Sequence, residues 1–252
     1  MRLFNSPLQY VATTFLQELE KSIVMDSATG KPYKSTYYKP SSLTCLRFMY
    51  FYRTQTPIDE VNKPASSISI LHSGEDRHLR IQNAISNMKK NGFDCEWVDV
   101  ETYIKEHNLT HLEVRDKKQF ETTVYNKDLD MLFLCDGLIK FENKYYIVEI
   151  KTENSTNFYK RIGVAEEHKH QATCYSLSFL INNVIFIYEN RDFCLRKAFL
   201  FTVTDTLKDE VKNLIKKCNE CVEKKILPEK MPNKNCKYCD YRVKCSQDFS
   251  II

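Results

Sequence analysis

Glycine and proline are scarce in this chain of 252 residues, at five and seven positions, and long apolar runs are missing. So little glycine and proline argues against collagenous, linker-rich and disordered classes of protein. A membrane-spanning helix needs about 20 consecutive apolar residues, so we expect no membrane association. The N-terminal residues lack the basic-then-apolar pattern of a secretion signal, and we find no internal repeat, low-complexity segment or helicase motif. We therefore expect a cytoplasmic location, in a prokaryotic cell or in the host cell of a virus.

Cysteine, in contrast, is abundant, with ten residues, and the formal net charge is +4. A chain of this length can bury a substantial core and does not need disulfides to fold. In a reducing compartment, clustered cysteines favour ligation of a metal or an iron–sulfur cluster. The mild positive charge permits a polyanionic partner without requiring one.

The order of predicted elements defines the fold class. Helices come first, followed by a strand-rich centre, a helix, two more strands and a final helix, which predicts an α/β sandwich with a mixed sheet. Ser41 and Ser42 are predicted to cap a helix that contains Cys45. A capping box at residues 73–76 is predicted to open a helix that runs to about Lys90.

The most informative segment is a predicted hairpin from Asp136 to Lys151. Two apolar strands, within residues 131–141 and 145–150, flank a polar turn. With a turn of about four residues, Asp136 lies directly opposite Glu149. Glu149 and Lys151 share one face, because side chains in a strand repeat every two residues. Two carboxylates this close repel each other unless a cation lies between them or one is protonated.

The chemistry of this hairpin favours a metal site. Hard oxygen ligands in a partly hydrated site suit magnesium or manganese. Such an ion polarises a phosphoryl group and lowers the pKa of a bound water, and Lys151 would stabilise the charge that develops. This is the chemistry of phosphodiester hydrolysis. The alternative is a structural ion pair, because a Glu-x-Lys pattern occurs by chance in many strands.

Further motifs extend the pattern on both sides of the hairpin. The elements follow one another within residues 74–175: Gly74-x3-His78, Asp136-Gly137-x11-Glu149-Ile150-Lys151, and Gln171-x3-Tyr175. In this order the chain resembles the PD-(D/E)xK nuclease superfamily, and is most similar to its RecB-like exonuclease branch. It departs from the family pattern at Cys135, since no proline precedes the aspartate. The resemblance implies a restriction-endonuclease-like sandwich with a central mixed sheet flanked by helices.

The resemblance also implies an activity and a set of site residues. The activity is that of a magnesium- or manganese-dependent DNA exonuclease acting on single-stranded DNA or duplex ends without sequence specificity. Helicase, recombination or CRISPR adaptation partners and oligomer formation are compatible with it. Glu121 matches an acidic residue present upstream in some members. The implied roles are metal ligation by His78, Asp136, Glu149 and the backbone carbonyl of Ile150, catalysis by Lys151, and support of the site or the DNA strand by Gln171 and Tyr175.

The C-terminal segment carries a compact and polar cysteine triplet, Cys236-x2-Cys239-x5-Cys245. Thiolates at such spacing bind zinc or an iron–sulfur cluster. Cys218 and Cys221 would complete a set similar to a zinc ribbon, but Cys218 lies on the apolar stripe of a predicted helix. Cys45 is the other candidate for the fourth ligand.

The arrangement with Cys45 resembles the iron–sulfur subset of RecB-like nucleases, which includes AddB-type helicase–nucleases and CRISPR-associated spacer-processing exonucleases. It implies a structural [4Fe–4S] cluster held by Cys45 and the triplet, which joins the two ends of the chain. We therefore expect a helical segment at 1–60, a nuclease core at 61–205 and a cluster segment at 206–252. The remaining cysteines are predicted to be buried hydrophobic residues: Cys95, Cys135, Cys174 and Cys194.

Basic residues surround the triplet, at positions 224, 225, 230, 234, 237, 242 and 244. Beside a nuclease site they would attract phosphates independently of sequence and in a salt-dependent manner. Tyr238 and Tyr241 are suited to stacking on unpaired bases. A solvated basic surface is the alternative for these charges. A catalytically silent DNA-binding or assembly module, or a zinc-stabilised binding protein, remain the alternatives for the whole chain.

Overall fold

The computed structural model describes residues 7–28, 36–43, 45–59, 64–233, 236–237 and 239–247. The chain divides into two units, one of residues 1–34 and 60–76 and the other of residues 35–59 and 77–252. The first unit contains α1 (Pro7–Ala28) and the beginning of α3 (Ala65–Ser86). In the described part of the chain, no helix combines the length and the apolar character needed to cross a membrane.

The second unit is built on a mixed sheet of five strands in the order β1, β5, β6, β7, β8. β6 and β7 are parallel, and the chain crosses between them through α5 (Ser155–Lys160) and α6 (Glu166–Phe179). The other neighbouring strands are antiparallel. The predicted α/β class with a mixed sheet flanked by helices is therefore confirmed. The strands are β1 (Cys95–Val98), β5 (Gly137–Phe141), β6 (Lys144–Glu153), β7 (Asn183–Asn190) and β8 (Arg196–Thr202).

Helices cover both faces of this sheet, and alternate residues of the strands point to different helices. Leu138 and Ile147 belong to the larger core, together with residues of α6 and of α7 (Asp205–Lys224). Ile139 and Ile150 belong to a second core with Ile81 of α3. Burial on both faces explains why β5 and β6 are apolar almost throughout.

A second, antiparallel sheet contains β2 (Leu112–Lys117), β3 (Thr122–Asn126) and β4 (Met131–Cys135). The apolar segment of residues 131–141 is therefore divided between two sheets, with β4 in the three-stranded sheet and β5 in the five-stranded sheet. Asp136 is the only residue between β4 and β5. The change of sheet thus takes place at a predicted site residue.

Several local predictions are corrected. The capping box at residues 73–76 is wrong, because α3 starts at Ala65, directly after Pro64, and these residues lie inside the helix. Ser42 lies in a short 3-10 turn, and α2 (Leu46–Arg53) starts later, with Cys45 as its extended N-cap residue. Cys194 is exposed in the turn after β7 and is not a buried hydrophobic residue. The remaining helices are α4 (Val100–Glu106) and α8 (Arg242–Gln247).

Candidate metal and catalytic site

The hairpin of β5 and β6 sets the register of the site. Its two-residue loop, Glu142 and Asn143, has φ angles of 48° and 60°. Positive φ at both positions is typical of a type I′ turn, whose twist matches that of the strands. Gly137 pairs with Val148 in this hairpin. Continued by one pair, the register places Asp136 opposite Glu149, as the sequence predicts.

Asp136 is held from two sides. Its Oδ2 accepts a hydrogen bond of 2.8 Å from the backbone N–H of Ile150. From α3, His78 Nδ1 lies 3.4 Å from Asp136 Oδ1, and Gln82 Nε2 donates to the Asp136 carbonyl at 2.8 Å. His78 and Gln82 are one helical turn apart, so a single helix face positions both the side chain and the backbone of Asp136. Sequence reasoning assigned no role to Gln82, although it follows His78 by four residues and so lies on the same face of the predicted helix.

Glu149 is almost completely buried, with 2% of its surface exposed. Its Oε1 lies 2.6 Å from Lys151 Nζ and accepts a hydrogen bond of 2.7 Å from Gln171 Nε2. Its Oε2 is buried and has no hydrogen-bond partner among the described residues. Burial, followed by the charge of Asp136, raises the pKa of Glu149 to about 7, although Lys151 opposes the shift. A buried polar atom without a partner is rare in native proteins, and a cation or a proton would satisfy this one.

Two residues of α6 complete the arrangement around Lys151. Lys151 Nζ donates to Gln171 Oε1 at 3.0 Å, so Gln171 contacts both the lysine and Glu149. Gln171 Nε2 also donates to the Tyr175 hydroxyl at 2.8 Å. Tyr175 donates in turn to the carbonyl of Leu134 at 3.3 Å. This chain of hydrogen bonds fixes the position of the lysine ammonium group.

The structure also brings Glu121 into the site. The ligand atoms of His78, Glu121 and Asp136 all lie within 4.8 Å of one another, close enough to bind one ion. Burial disfavours the charged form of His78, but its contact with Asp136 and the charge of Glu149 outweigh burial and raise the pKa of His78. Two carboxylates and one imidazole thus form a donor set that fits magnesium or manganese. Among the described residues, Glu149 is not part of this group, although it lies opposite Asp136 in the hairpin.

The predicted cluster cysteines line one cavity. Its volume is about 710 Å³, and Lys151 and Gln171 also contribute to its wall. Cys218, of the alternative zinc set, is instead buried in the larger core. The cavity lining includes Cys45, Cys236, Cys239 and Cys245.

The spacing of these thiols can be compared with the spacing that a single zinc ion requires. Tetrahedral zinc with Zn–S bonds of about 2.3 Å requires sulfur atoms about 3.8 Å apart. Among the described residues, no three cysteine sulfur atoms lie within 4.8 Å of one another. The four thiols are therefore more widely spaced than a single zinc ion requires. A cluster in which each iron takes one thiolate fits a wider set.

Two buried charged residues organise the cluster segment. Arg47 Nε donates to the carbonyl of Pro228 at 2.8 Å, and its Nη1 lies 3.3 Å from the carbonyl and 3.7 Å from the sulfur of Cys245. Asp59 accepts a hydrogen bond of 2.5 Å from the backbone N–H of Val243, at the start of α8. Both residues therefore hold the helix that carries Cys245.

Of the two tyrosines predicted to stack on unpaired bases, the structure describes one, Tyr241. Tyr241 is buried, and its ring packs against Phe48 and Phe51 at centroid distances of 5.2 Å. Its assignment to base stacking is therefore wrong, because the ring belongs to the packing of the cluster segment. Tyr238 and Lys234 lie outside the described residues.

The fold and the site define an α/β protein whose mixed sheet carries a buried acidic site with one lysine. No protein-family model matches the chain, and no curated protein matches it in sequence. Among solved structures, it is similar to the crystal structure of SSO0001, with a TM-score of 0.45, 18% identity, and 92% of this chain and 96% of that chain covered. It is also similar to LHK-Exo in complex with dAMP, with a TM-score of 0.46 and 12% identity, and with 77% of this chain and 91% of that chain covered. For the alkaline exonuclease LHK-Exo from Laribacter hongkongensis, the TM-score is 0.45, the identity 13%, and the coverage 76% and 90%.

Proposed function

We propose that this protein is a metal-dependent deoxyribonuclease of the PD-(D/E)xK type. The observation that carries the proposal is the buried Glu149 carboxylate, which faces Asp136 and Lys151 and whose Oε2 has no hydrogen-bond partner within the described part of the chain. A structural ion pair needs only one carboxylate for Lys151. It explains neither the second carboxylate nor the cost of the unpaired oxygen.

Asp136 and Glu149 would hold the divalent ion, together with His78 and Glu121 and with the carbonyl of Ile150 as the resemblance implies. A bound ion of this kind polarises a phosphoryl group and lowers the pKa of a coordinated water. The remaining steps belong to side chains of the protein. Gln171 and Glu149 hold the Lys151 ammonium group in place, where it stabilises negative charge on the phosphoryl oxygens or orients the attacking water.

The cysteine cavity supports a [4Fe–4S] cluster held by Cys45, Cys236, Cys239 and Cys245. In this proposal, segments 1–60 and 206–252 supply its ligands, and residues 61–205 form the nuclease core. Because the cavity reaches Lys151 and Gln171, the cluster segment would form a wall beside the catalytic site. Lys230, Lys237 and Arg242 on this wall would attract the phosphates of a single strand or a duplex end, which supports exonuclease action.

The test uses anaerobically purified protein and end-labelled single- and double-stranded DNA, with magnesium, manganese or a chelator. We expect cleavage only with a divalent ion, and release of short products from an end. Asp136→Asn and Lys151→Ala are expected to reduce the rate by about a hundredfold or more without unfolding the protein. Lys144→Ala is the matched control, because this exposed lysine lies on the same hairpin at its turn.

Full activity in both site variants would contradict the assignment. DNA binding without cleavage by either ion would favour a catalytically silent module of the same fold. Metal analysis separates the two kinds of cysteine site. Iron and sulfide in a brown solution support the cluster, whereas stoichiometric zinc in a colourless solution supports the alternative.

A further inference from the structure

A second charged cluster lies at the end of β7, where Glu189 is fully buried. Three arginines contact its carboxylate. Arg77 Nη1 and Arg80 Nη2 lie 2.9 Å and 2.6 Å from Oε1, and Arg196 Nε lies 2.8 Å from Oε2. The contact of Arg196 lacks the alignment of a hydrogen bond. Glu189 Oε2 therefore has an ion-pair partner but receives no hydrogen bond from any described residue. We call Arg77, Arg80 and Arg196 the arginine cluster.

The arginine cluster carries more charge than its carboxylate neutralises. Three guanidinium groups and one carboxylate leave a net charge of +2, that is, three positive charges minus one. Each guanidinium has five N–H donors, whereas one carboxylate offers about four lone-pair sites. Donors and charge therefore remain for a second anion.

The three arginines differ in exposure. The Arg77 side chain is only 18% exposed, and its Nη2 also donates to the carbonyl of Arg191 at 2.8 Å. Arg77 therefore connects α3 both to the end of β7 and to the turn that follows it. The side chains of Arg80 and Arg196 are 47% and 46% exposed, although each also contacts the buried carboxylate. All three arginines therefore pair with Glu189, but only Arg80 and Arg196 also have about half of their side-chain surface exposed.

The turn after β7 adds one negative and one positive charge, Asp192 and Arg191, and so leaves this excess unchanged. Asp192, in the turn after β7, accepts hydrogen bonds from the backbone N–H and the hydroxyl of Ser155, the former at 3.1 Å. Its carboxylate is thus held by the start of α5. Hydrogen bonding by Ser155 and, to a smaller degree, nearby positive charge lower the pKa of Asp192, so it stays ionised.

The arginine cluster lies at the same end of the sheet as the candidate catalytic site. β6 and β7 are parallel, with Glu149 beside Phe186, so Glu189 lies three residues further along the neighbouring strand. Its side chain points to the opposite face of the sheet from Glu149, the face that α3 covers. Strand spacing and rise place it about 11 Å from Glu149 along the sheet. His78, which reaches Asp136, directly follows Arg77 on α3. In sheets with parallel strands, ligands bind beyond the carboxyl ends of those strands.

We propose that Arg80 and Arg196 bind a backbone phosphate of the DNA strand on the α3 side of the catalytic site. This inference rests on the proposed nuclease function and names a part of its substrate-binding surface. Guanidinium groups bind phosphate oxygens in a bidentate manner, and contacts to phosphates position a strand without selecting its sequence. Glu189 holds the two arginines next to each other, since a pair of unneutralised guanidinium groups would repel.

The test measures DNA binding separately from cleavage. Fluorescence anisotropy with labelled single-stranded DNA is recorded in chelator at 50 to 300 mM salt, for the wild type and for Arg80→Gln/Arg196→Gln. Each neutralised phosphate contributes about 0.7 to the slope of log affinity against log salt, so loss of this one phosphate contact is expected to lower the slope by about 0.7. The same relation gives a roughly fivefold loss of affinity near 100 mM salt. The control, Lys212→Gln/Lys217→Gln on α7, removes two exposed charges and should leave the slope unchanged.

Single variants keep the outcome decisive if the double variant does not fold. Arg80→Gln and Arg196→Gln each leave Arg77 paired with Glu189, and each should lower the slope by about 0.7 or less. Wild-type affinity and slope in both folded single variants would refute the inference. Reduced binding in these variants together with no metal-dependent cleavage by the wild type would refute the nuclease function alone. Normal cleavage with unchanged binding would refute only the arginine site.

Discussion

Replacing Glu149 with glutamine would reveal what the buried carboxylate costs the metal-free protein. Burial and Asp136 raise the pKa of Glu149 from 4.5 to about 7. Between these values the folded protein holds a proton that the unfolded chain releases. Stability rises with pH only where the unfolded state binds more protons, and here it binds fewer. The contribution of Glu149 to stability is therefore complete below about pH 4.5 and lost as the pH rises to about 7 and beyond.

The expected loss of stability follows from the raised pKa of Glu149. About 2.5 pKa units correspond to a loss on the order of 3 kcal/mol between acid and alkaline pH. For a chain of this length that is roughly 5–10 °C in melting temperature. Glutamine resembles the protonated glutamic acid in shape and charge. Glu149→Gln should therefore match the wild type at pH 4.5 and exceed its stability by about this amount at pH 8.

The assay is thermal unfolding in chelator from pH 4.5 to 8.5. The raised pKa of His78 also lowers stability as the pH rises, but this histidine is present in both proteins and its effect largely cancels. Glu106→Gln, at an exposed position on α4, is the control for loss of one carboxylate. Adding magnesium or manganese at pH 8 should stabilise the wild type and have little effect on Glu149→Gln. Superimposed pH profiles of the wild type and Glu149→Gln would refute the reasoning.

Three further changes test the surroundings of the two sites. Gly137→Ala would bring a methyl group within 2.8 Å of Trp97 Cζ3. Overpacking of this kind costs about 1–3 kcal/mol of stability. Unchanged stability in denaturant would contradict the close approach of Trp97 to Gly137. Arg47→Gln removes the guanidinium group that lies 3.7 Å from Cys245 Sγ. We expect this variant to lose iron faster and to have an altered visible spectrum. An unchanged spectrum and unchanged iron retention would argue against this contact. Asp59→Ala removes the acceptor for backbone N–H groups at the start of α8. It should cost about 1 kcal/mol and lower iron content in anaerobic preparations, and full iron occupancy would contradict its role.

The hairpin was predictable because its determinants are local. A polar turn between two apolar strands fixes the pairing, and a shift by one residue would move every side chain to the other face. The division of residues 131–141 between two sheets was not predictable in this way. β4 and β5 are both mostly buried, so the sequence is apolar on both sides of Asp136. This pattern does not show that the two strands pair with partners in different sheets.

Local sequence signals also gave wrong predictions at positions where tertiary contacts determine the structure. The capping box at residues 73–76 has the right residue types, but the helix continues through it from Ala65. Cysteine is often buried, which favoured the wrong prediction for Cys194, but this residue lies in an exposed turn with a φ of 56°. The arginine cluster draws on α3 and on β8, far apart in sequence, and each arginine by itself has the pattern of a solvated charge.

The position of Asp136 between two sheets makes assembly of the candidate site depend on both sheets. Its carboxylate accepts a hydrogen bond from β6 of the five-stranded sheet, while its backbone directly continues β4 of the three-stranded sheet. The β5–β6 hairpin alone can align Asp136 with Glu149, but Glu121 enters the site from the three-stranded sheet, directly before β3. A newly synthesised chain with only one sheet formed would therefore lack part of the metal-binding set. Under the proposed function, such a polypeptide would not cleave DNA until both sheets had formed.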